Sequence, residues 1–384
     1  MSPTTTSTAA PPSLKENLTL KATHEKKLEL IKSQAKPPGP GQALVHVKAT
    51  GVCGSDVHFW QHAGLGPWQI TDKTALGHES GGVVIALGPN TESTGLKVGD
   101  RVAIEPGVPC SKVTCHFCRS GNYNLCPQVD FYSVPPMDGT LTRYHTHPAA
   151  WLHKVPDTMS FPEIALLEPL SVCLRATERA GIELGSPTLI LGAGPIGAVQ
   201  LLCAAASGAN PIVIADLQPQ RLDFAKQLCP EVSTFQVNTS LTPEQTAQQI
   251  ISLFTKLSNG VGGSGPKGEV MPSVTIECTG VESSIAVASF STRPQGRIVI
   301  TGVGKAYQTI PFMHLSTNEI DVRWVFRYKD TWPRAIRIVA SGKMPNLKKL
   351  VTHTFPLERA KEAVEHSADR SQFSVKTLIV DEED

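Results

Sequence analysis

From about Leu18 to Pro156 the chain alternates apolar and polar positions in short runs broken by glycine and proline, as in ALVHVKAT, GGVVIALG and VGDRVAIEPG. A period of two predicts half-buried strands, and the frequent turn residues predict a compact, irregular β-barrel. After Met159 the period lengthens: Ile164, Leu167, Leu170, Val172 and Leu174 recur at helical spacing, with Pro169 expected to bend or divide the segment. PTLILGAGPIGAVQLLCAAASGANPIVIADLQPQRLDFAKQL then reads as strand, glycine turn, helix, strand and helix, a βαβα unit that predicts a parallel sheet. Further units are expected at 244–257, 274–278, 283–292 and 297–303, helices at 332–340 and 357–366, and a closing strand at 374–380. The polar stretch 259–268 reads as a surface loop. The fold class is therefore α/β plus β. A disordered leader over 1–17 precedes a barrel domain over 18–170 and 309–384, interrupted by a doubly wound parallel-sheet domain over 171–308.

Gly192, Gly194 and Gly197 form G-x-G-x-x-G between a predicted strand and a predicted helix, with Pro195 and Ile196 inside the motif. The first glycine makes the tight turn, the second lets backbone approach a pyrophosphate, and the third lets helix and strand pack closely. Helix N-terminal N–H groups then face the anion. Asp216 ends the next strand, where a carboxylate receives ribose hydroxyls and repels a 2′-phosphate, so NAD is favoured over NADP. Arg221 is the opposing signal, since a guanidinium there tolerates that phosphate.

The stretch GVCGSDVH places Cys53, Ser55, Asp56 and His58 together after a predicted strand, in what reads as a loop, and LGHESGG adds His78 and Glu79. A thiolate, an imidazole and a carboxylate suit a catalytic Zn²⁺ with one position left open. Either Glu79 or Glu168, in LLEPLSV, can be the carboxylate. Asp56 is assigned only the satisfaction of loop backbone groups. Cys110, Cys115, Cys118 and Cys126, spaced C-x4-C-x2-C-x7-C, suit a closed structural zinc site.

Composition narrows the partners. The net charge of +1 gives no basic surplus for nucleic acid, and no apolar run is long enough for a membrane span. Nine cysteines, an odd number without a disulfide framework, indicate a reducing compartment, so a soluble cytoplasmic protein is expected.

GVCGSDVHFW, LGHESGG, GDRVAIEPG, the four-cysteine loop, LLEPLSV, LGAGPIG, ECTGVESS, VFRY and TWPRAI together resemble the zinc-containing medium-chain dehydrogenase/reductase superfamily, in its polyol branch. The resemblance covers about Leu18 to Val380. It implies a GroES-like catalytic domain, a Rossmann domain, and zinc in the cleft between them. NAD accepts hydride from a secondary hydroxyl of a sugar alcohol such as L-arabinitol, D-sorbitol, xylitol or galactitol. By the same resemblance Ser55 and His58 form a proton relay; Phe59, Glu168, Arg327 and Tyr328 face substrate; and Gly302, Val303, Val325, Phe326 and Arg327 join Ile196, Asp216 and Arg221 at the cofactor. Relatives are commonly homotetramers. Two departures stand out: two extra residues separate Cys110 from Cys115, and Phe59, Phe326 and Trp68 mix the patterns of different polyol enzymes. The rival expectations are a zinc alcohol dehydrogenase for simpler alcohols and a non-catalytic, zinc-stabilised dinucleotide-binding protein.

Overall fold

The computed structural model describes residues 14–259, 261–265 and 268–382, so most of the expected leader lies outside it, as do three residues of the 259–268 loop. Asn17 already begins a strand, Asn17–Thr23, which shortens the leader expected to reach 17. That strand pairs with Leu28–Ser33 and Lys73–Ala75 in a small antiparallel sheet.

The larger barrel sheet has seven strands. Its order is Leu152–Lys154, Arg101–Ile104, Glu79–Leu87, Gln42–Gly51, Lys376–Val380 and Val351–Pro356, and Tyr144–Pro148 also pairs with Gln42–Gly51. Gln42–Gly51 lies at its centre, and Ala43 through Val47 are all buried rather than alternating. His46 tolerates this because its ring meets the buried Asp381 carboxylate at 2.9 Å. Lys376–Val380 enters between Gln42–Gly51 and Val351–Pro356, so the C-terminal segment completes the sheet.

The second sheet is parallel throughout, in the order Ser233–Gln236, Ile212–Asp216, Thr188–Leu191, Val274–Glu277, Arg297–Ile300 and Asp321–Trp324. Its last strand moves the domain boundary expected at 308. Asp321–Trp324 is hydrogen-bonded to Arg297–Ile300, and the chain returns to the barrel only afterwards. As an edge strand it is half-buried at best, which is why its pattern does not read as a core strand.

Between the sheets runs the helix Leu167–Ala180. The predicted break falls at Leu166, where Phe161–Ala165 ends, while Pro169 occupies the first turn of the longer helix, where a missing N–H is harmless. Leu170, Cys173 and Leu174 share one core cluster with Ala198, Val199 and Leu202 of helix Pro195–Ala206 and with Trp332 and Ala335. This packing fixes the barrel against the parallel sheet. No helix among the described residues is long and apolar enough to cross a membrane.

Candidate active site

Beyond Gly51 the chain turns into a helix, Gly54–His62, instead of the expected loop. Cys53 takes the N-cap position with extended backbone, and the Asp56 carboxylate reaches back to accept the Cys53 N–H at 3.0 Å. The other Asp56 oxygen accepts the Gly77 N–H at 2.9 Å, which ties the helix to the chain just before His78. Glu79 opens its strand opposite Gly51, where a Cβ would stand 2.2 Å from Glu79 Oε2, so glycine makes room for the carboxylate. The ligand atoms of Cys53, His78 and Glu79 consequently lie within 4.8 Å of one another. Strand alternation does not separate His78 from Glu79, because His78 precedes the strand.

The surroundings of this trio suit a cation. Ser133 Oγ lies 2.9 Å from His78 Nδ1 and Asp56 Oδ1 3.5 Å from it, which leaves Nε2 as the nitrogen that could hold a metal. Burial alone would push the His78 imidazole down, but Asp56 and Cys53 outweigh it and hold it well above the usual histidine range. Lys376 Nζ donates to both Glu79 oxygens, at 2.8 and 2.6 Å, and to the Val52 carbonyl at 3.2 Å. A thiolate, an imidazole and a carboxylate converging in such a pocket fit a catalytic zinc.

Glu168 lies in the first turn of Leu167–Ala180, buried beside the trio but outside the 4.8 Å group. Burial pushes its carboxyl up to about 7, opposed by His78, reinforced by Glu79, and opposed again by Lys376 and Arg327. Of the two candidate carboxylates, then, Glu79 converges with Cys53 and His78, and Glu168 borders them. Arg327, just beyond strand Asp321–Trp324, has a left-handed backbone, φ 58°. Its guanidinium carbon lies 3.7 Å from the Phe131 ring centroid, 4.6 Å from that of Phe326 and 5.8 Å from that of Trp68. Trp68 and Phe326 stack at 6.4 Å, and burial pulls Arg327 down to about 10.

The four cysteines also converge. Cys110 and Cys118 sulfurs are 3.8 Å apart, Cys115 and Cys126 sulfurs 3.9 Å, and all four lie within 4.8 Å. A left-handed Ser111, φ 51°, lies within the longer Cys110 to Cys115 spacing. A backbone hydrogen bond from Cys118 brings the Cys115 thiol down to about 7, while burial and the neighbouring thiols push Cys118 up to about 12. Sulfurs this close ionise together only when a cation neutralises them, which fits structural zinc.

At the glycine motif, Gly192 has φ 94° and Pro195 opens the helix. A Cβ on Gly197 would meet the Gly192 carbonyl oxygen at 1.8 Å, so only glycine permits this approach of helix to turn. The Asp216 carboxylate accepts N–H bonds from Ala193 at 2.7 Å and Gln218 at 2.9 Å, placing it against the same turn. Arg221 stands 3.9 Å from Asp216 and 3.5 Å from where a Gly194 Cβ would lie. Ile196 is half-buried beside them. The Gly302 N–H donates to Glu277 and the Val325 N–H to Ile300, while Val303 and Phe326 are exposed. All lie at the C-terminal ends of parallel strands, near where the strand order reverses, the ligand crevice of open α/β sheets.

Residues 39–157 match the alcohol dehydrogenase GroES-like domain and residues 195–341 the zinc-binding dehydrogenase model. L-arabinitol 4-dehydrogenase of Talaromyces emersonii is 51% identical over 345 residues, covering 90% of this chain and 86% of that protein. Sorbitol dehydrogenase of Bos taurus is 43% identical over 364 residues, covering 95% and 96%. The chain belongs to the zinc-containing medium-chain dehydrogenases. Its relatives place it in the polyol branch, as an oxidoreductase acting on CH–OH groups with zinc and a nicotinamide cofactor. Among solved structures, L-idonate 5-dehydrogenase of Escherichia coli superposes with a TM-score of 0.81 at 26% identity, covering 95% of this chain and 98% of that one.

Other expected residues of this dehydrogenase take varied positions. Ser55 lies half-buried in the first turn of Gly54–His62, and His58 is exposed on the same helix, its Nδ1–H donating to the Gly64 carbonyl at 2.9 Å. Phe59, expected against substrate, is 1% exposed in the apolar cluster with Val52, Leu65 and Trp68. Tyr328 is equally buried, and its hydroxyl has no protein partner. Two residues around the trio escaped the sequence reading, Ser133 and Lys376, as did the contact of Asp56 with His78. For Lys376 a signal existed, a lone lysine inside the apolar closing strand SVKTLIV.

Proposed function

We propose that this dehydrogenase oxidises a secondary hydroxyl of a sugar alcohol to a ketose with NAD, L-arabinitol to L-xylulose first, with D-sorbitol, xylitol and galactitol as further candidates. The observation that carries it is the Glu168 carboxyl and the Arg327 guanidinium flanking the Cys53–His78–Glu79 trio, hydrogen-bonding groups that a polyol satisfies and a simple alcohol does not. The buried Tyr328 hydroxyl adds a donor of the same kind. L-arabinitol ranks first because relatives of that name share 48–51% identity against 43–44% for those named for sorbitol.

Cys53, His78 and Glu79 would hold the catalytic zinc, and Cys110, Cys115, Cys118 and Cys126 a second, structural one. When bound, zinc supplies Lewis acidity and the nicotinamide accepts the hydride. Asp56 and Ser133 fix the His78 ring, and Lys376 holds Glu79 in place. The Gly64 carbonyl accepts a hydrogen bond from His58 Nδ1–H, so Nε2 is free to receive the substrate proton through Ser55 and pass it to solvent. The Asp216 carboxylate favours NAD despite Arg221. The free thiols fit a reducing cytoplasm, and the unpaired edge of Asp321–Trp324, where Trp324 is 61% exposed, fits assembly into a homotetramer.

An NADH-absorbance screen of L-arabinitol, D-sorbitol, xylitol, galactitol and ethanol with NAD and NADP tests the reading. Polyol oxidation with NAD is expected, and turnover of ethanol alone, or with NADP alone, would refute it. Cys53→Ser should lose most turnover yet still bind NADH by fluorescence.

A further inference from the structure

We propose that the four-cysteine lobe positions the substrate loop: Asn122, Tyr123 and Asn124 clamp residues 326–330 and so hold the Arg327 guanidinium over the cleft, making them selectivity determinants for polyols. The proposal rests on the polyol reading above. Arg327 and Asp330 are both left-handed, with φ 58° and 49°, and non-glycine residues keep that conformation only where their surroundings impose it.

Three consecutive residues of the lobe impose it. Asn124 Nδ2 donates to the Phe326 carbonyl at 2.9 Å, just before Arg327. Lys329 Nζ donates to Asn122 Oδ1, just after it. The Tyr123 hydroxyl accepts the Asp330 N–H at 2.9 Å and donates to Glu105 Oε1 at 2.7 Å. Glu105 is itself immovable, 1% exposed beyond strand Arg101–Ile104, with His153 Nε2 at 2.6 Å from its second oxygen. The His153 ring stacks on Trp332 at 5.5 Å, and Trp332 meets Tyr328 edge-on at 5.5 Å, so the far end of the loop is tied to the same carboxylate. Phe131, a little beyond Cys126, lies under the guanidinium itself. None of the three clamping residues is a ligand candidate, so their role is mechanical. A polyol hydroxyl gripped by Arg327 depends on the loop being held, whereas a simple alcohol has no hydroxyl there to lose.

The test uses the full-length, zinc-loaded enzyme with Tyr123→Phe and Asn124→Ala, each alone and combined with Arg327→Ala. Each should lower kcat/KM for the preferred polyol about tenfold, the worth of a hydrogen bond or two, chiefly through KM. Each should leave kcat/KM for 2-butanol within about twofold. Combined with Arg327→Ala, neither should add to the loss. Amide hydrogen exchange across 325–331 should rise in both variants while zinc content is unchanged. Additive losses, equal losses on both alcohols, or unaltered exchange would overturn the proposal. Should Tyr123→Phe fail to fold, Asn124→Ala carries the same three readouts. If the wild type oxidises no polyol, the functional reading falls, and exchange across 325–331 still decides whether the lobe holds the loop.

Discussion

Asp56 sends neither oxygen to solvent, yet three parts of the zinc pocket meet on it: the Cys53 N–H, the Gly77 N–H and the His78 ring. Burial would favour its neutral form, but the His78 charge and these hydrogen bonds outweigh it and hold the carboxyl below its ordinary range. Asp56→Asn keeps the size but turns one acceptor into a donor facing an N–H. Zinc affinity at the Cys53 site should fall roughly 10–100-fold, the usual effect of losing a group that orients a ligand. Metal retained during chelator competition measures it, and unchanged retention would contradict the role. This residue also marks a limit of sequence reading. Cys53 and His78 were legible because a thiol and an imidazole near carboxylates suggest one chemistry. Ser133 reaches the pocket from a turn far along the chain, and no local pattern announces that contact, whereas Lys376 comes from the closing strand, where a lone lysine among apolar residues was the one hint.

At the scale of elements, the glycine turn and its helix make the sharpest prediction. Helix Pro195–Ala206 packs so closely on the turn that a Gly197 side chain has no room against the Gly192 carbonyl oxygen. Gly197→Ala must push the helix outward, costing about 1–3 kcal/mol as an overpacked core does. It should also move the N–H groups that face the cofactor phosphates, so NADH fluorescence should show weakened binding while zinc content is unchanged. NADH affinity equal to wild type would rule out this packing. Elements with a strong period were legible, as at Trp332–Ala340 and Pro243–Leu257, because burial of one face dictates the pattern. The two misread ones were short. Gly54–His62 depends on a cap made by Cys53 and Asp56 rather than on a clear apolar stripe, and Asp321–Trp324 is an edge strand with little to bury.

At the scale of the molecule, the stretches just before the first strand and just after the last are joined by a buried ionic cluster that composition hides. Asp381, just beyond the closing strand, is 5% exposed. One of its oxygens lies 2.9 Å from both His46 Nε2 and Arg143 Nε. Arg143 also donates to the Glu16 carbonyl at 3.0 Å and to Glu358 at 2.7 Å. Glu16 before the first strand, Glu358 and Asp381 just past the closing strand thus share one guanidinium, and His46 at the barrel centre joins them through Asp381. Burial opposes ionisation of Asp381, but the His46 and Arg143 hydrogen bonds and the Arg143 charge prevail, and the carboxyl lies below the ordinary aspartate range. A carboxyl with a depressed folded pKa stabilises the fold fully above its unfolded pKa, and that stabilisation disappears as pH falls through the folded value. Asp381→Asn removes the buried one of the two carboxylates that Arg143 pairs with, leaving the half-exposed Glu358, and should cost about 2–4 kcal/mol at neutral pH. Urea midpoints measured over a pH series should show the gap between wild type and variant holding down to about pH 4 and narrowing below it. A gap that widened in acid would mean that the cluster is held together by something other than the Asp381 charge.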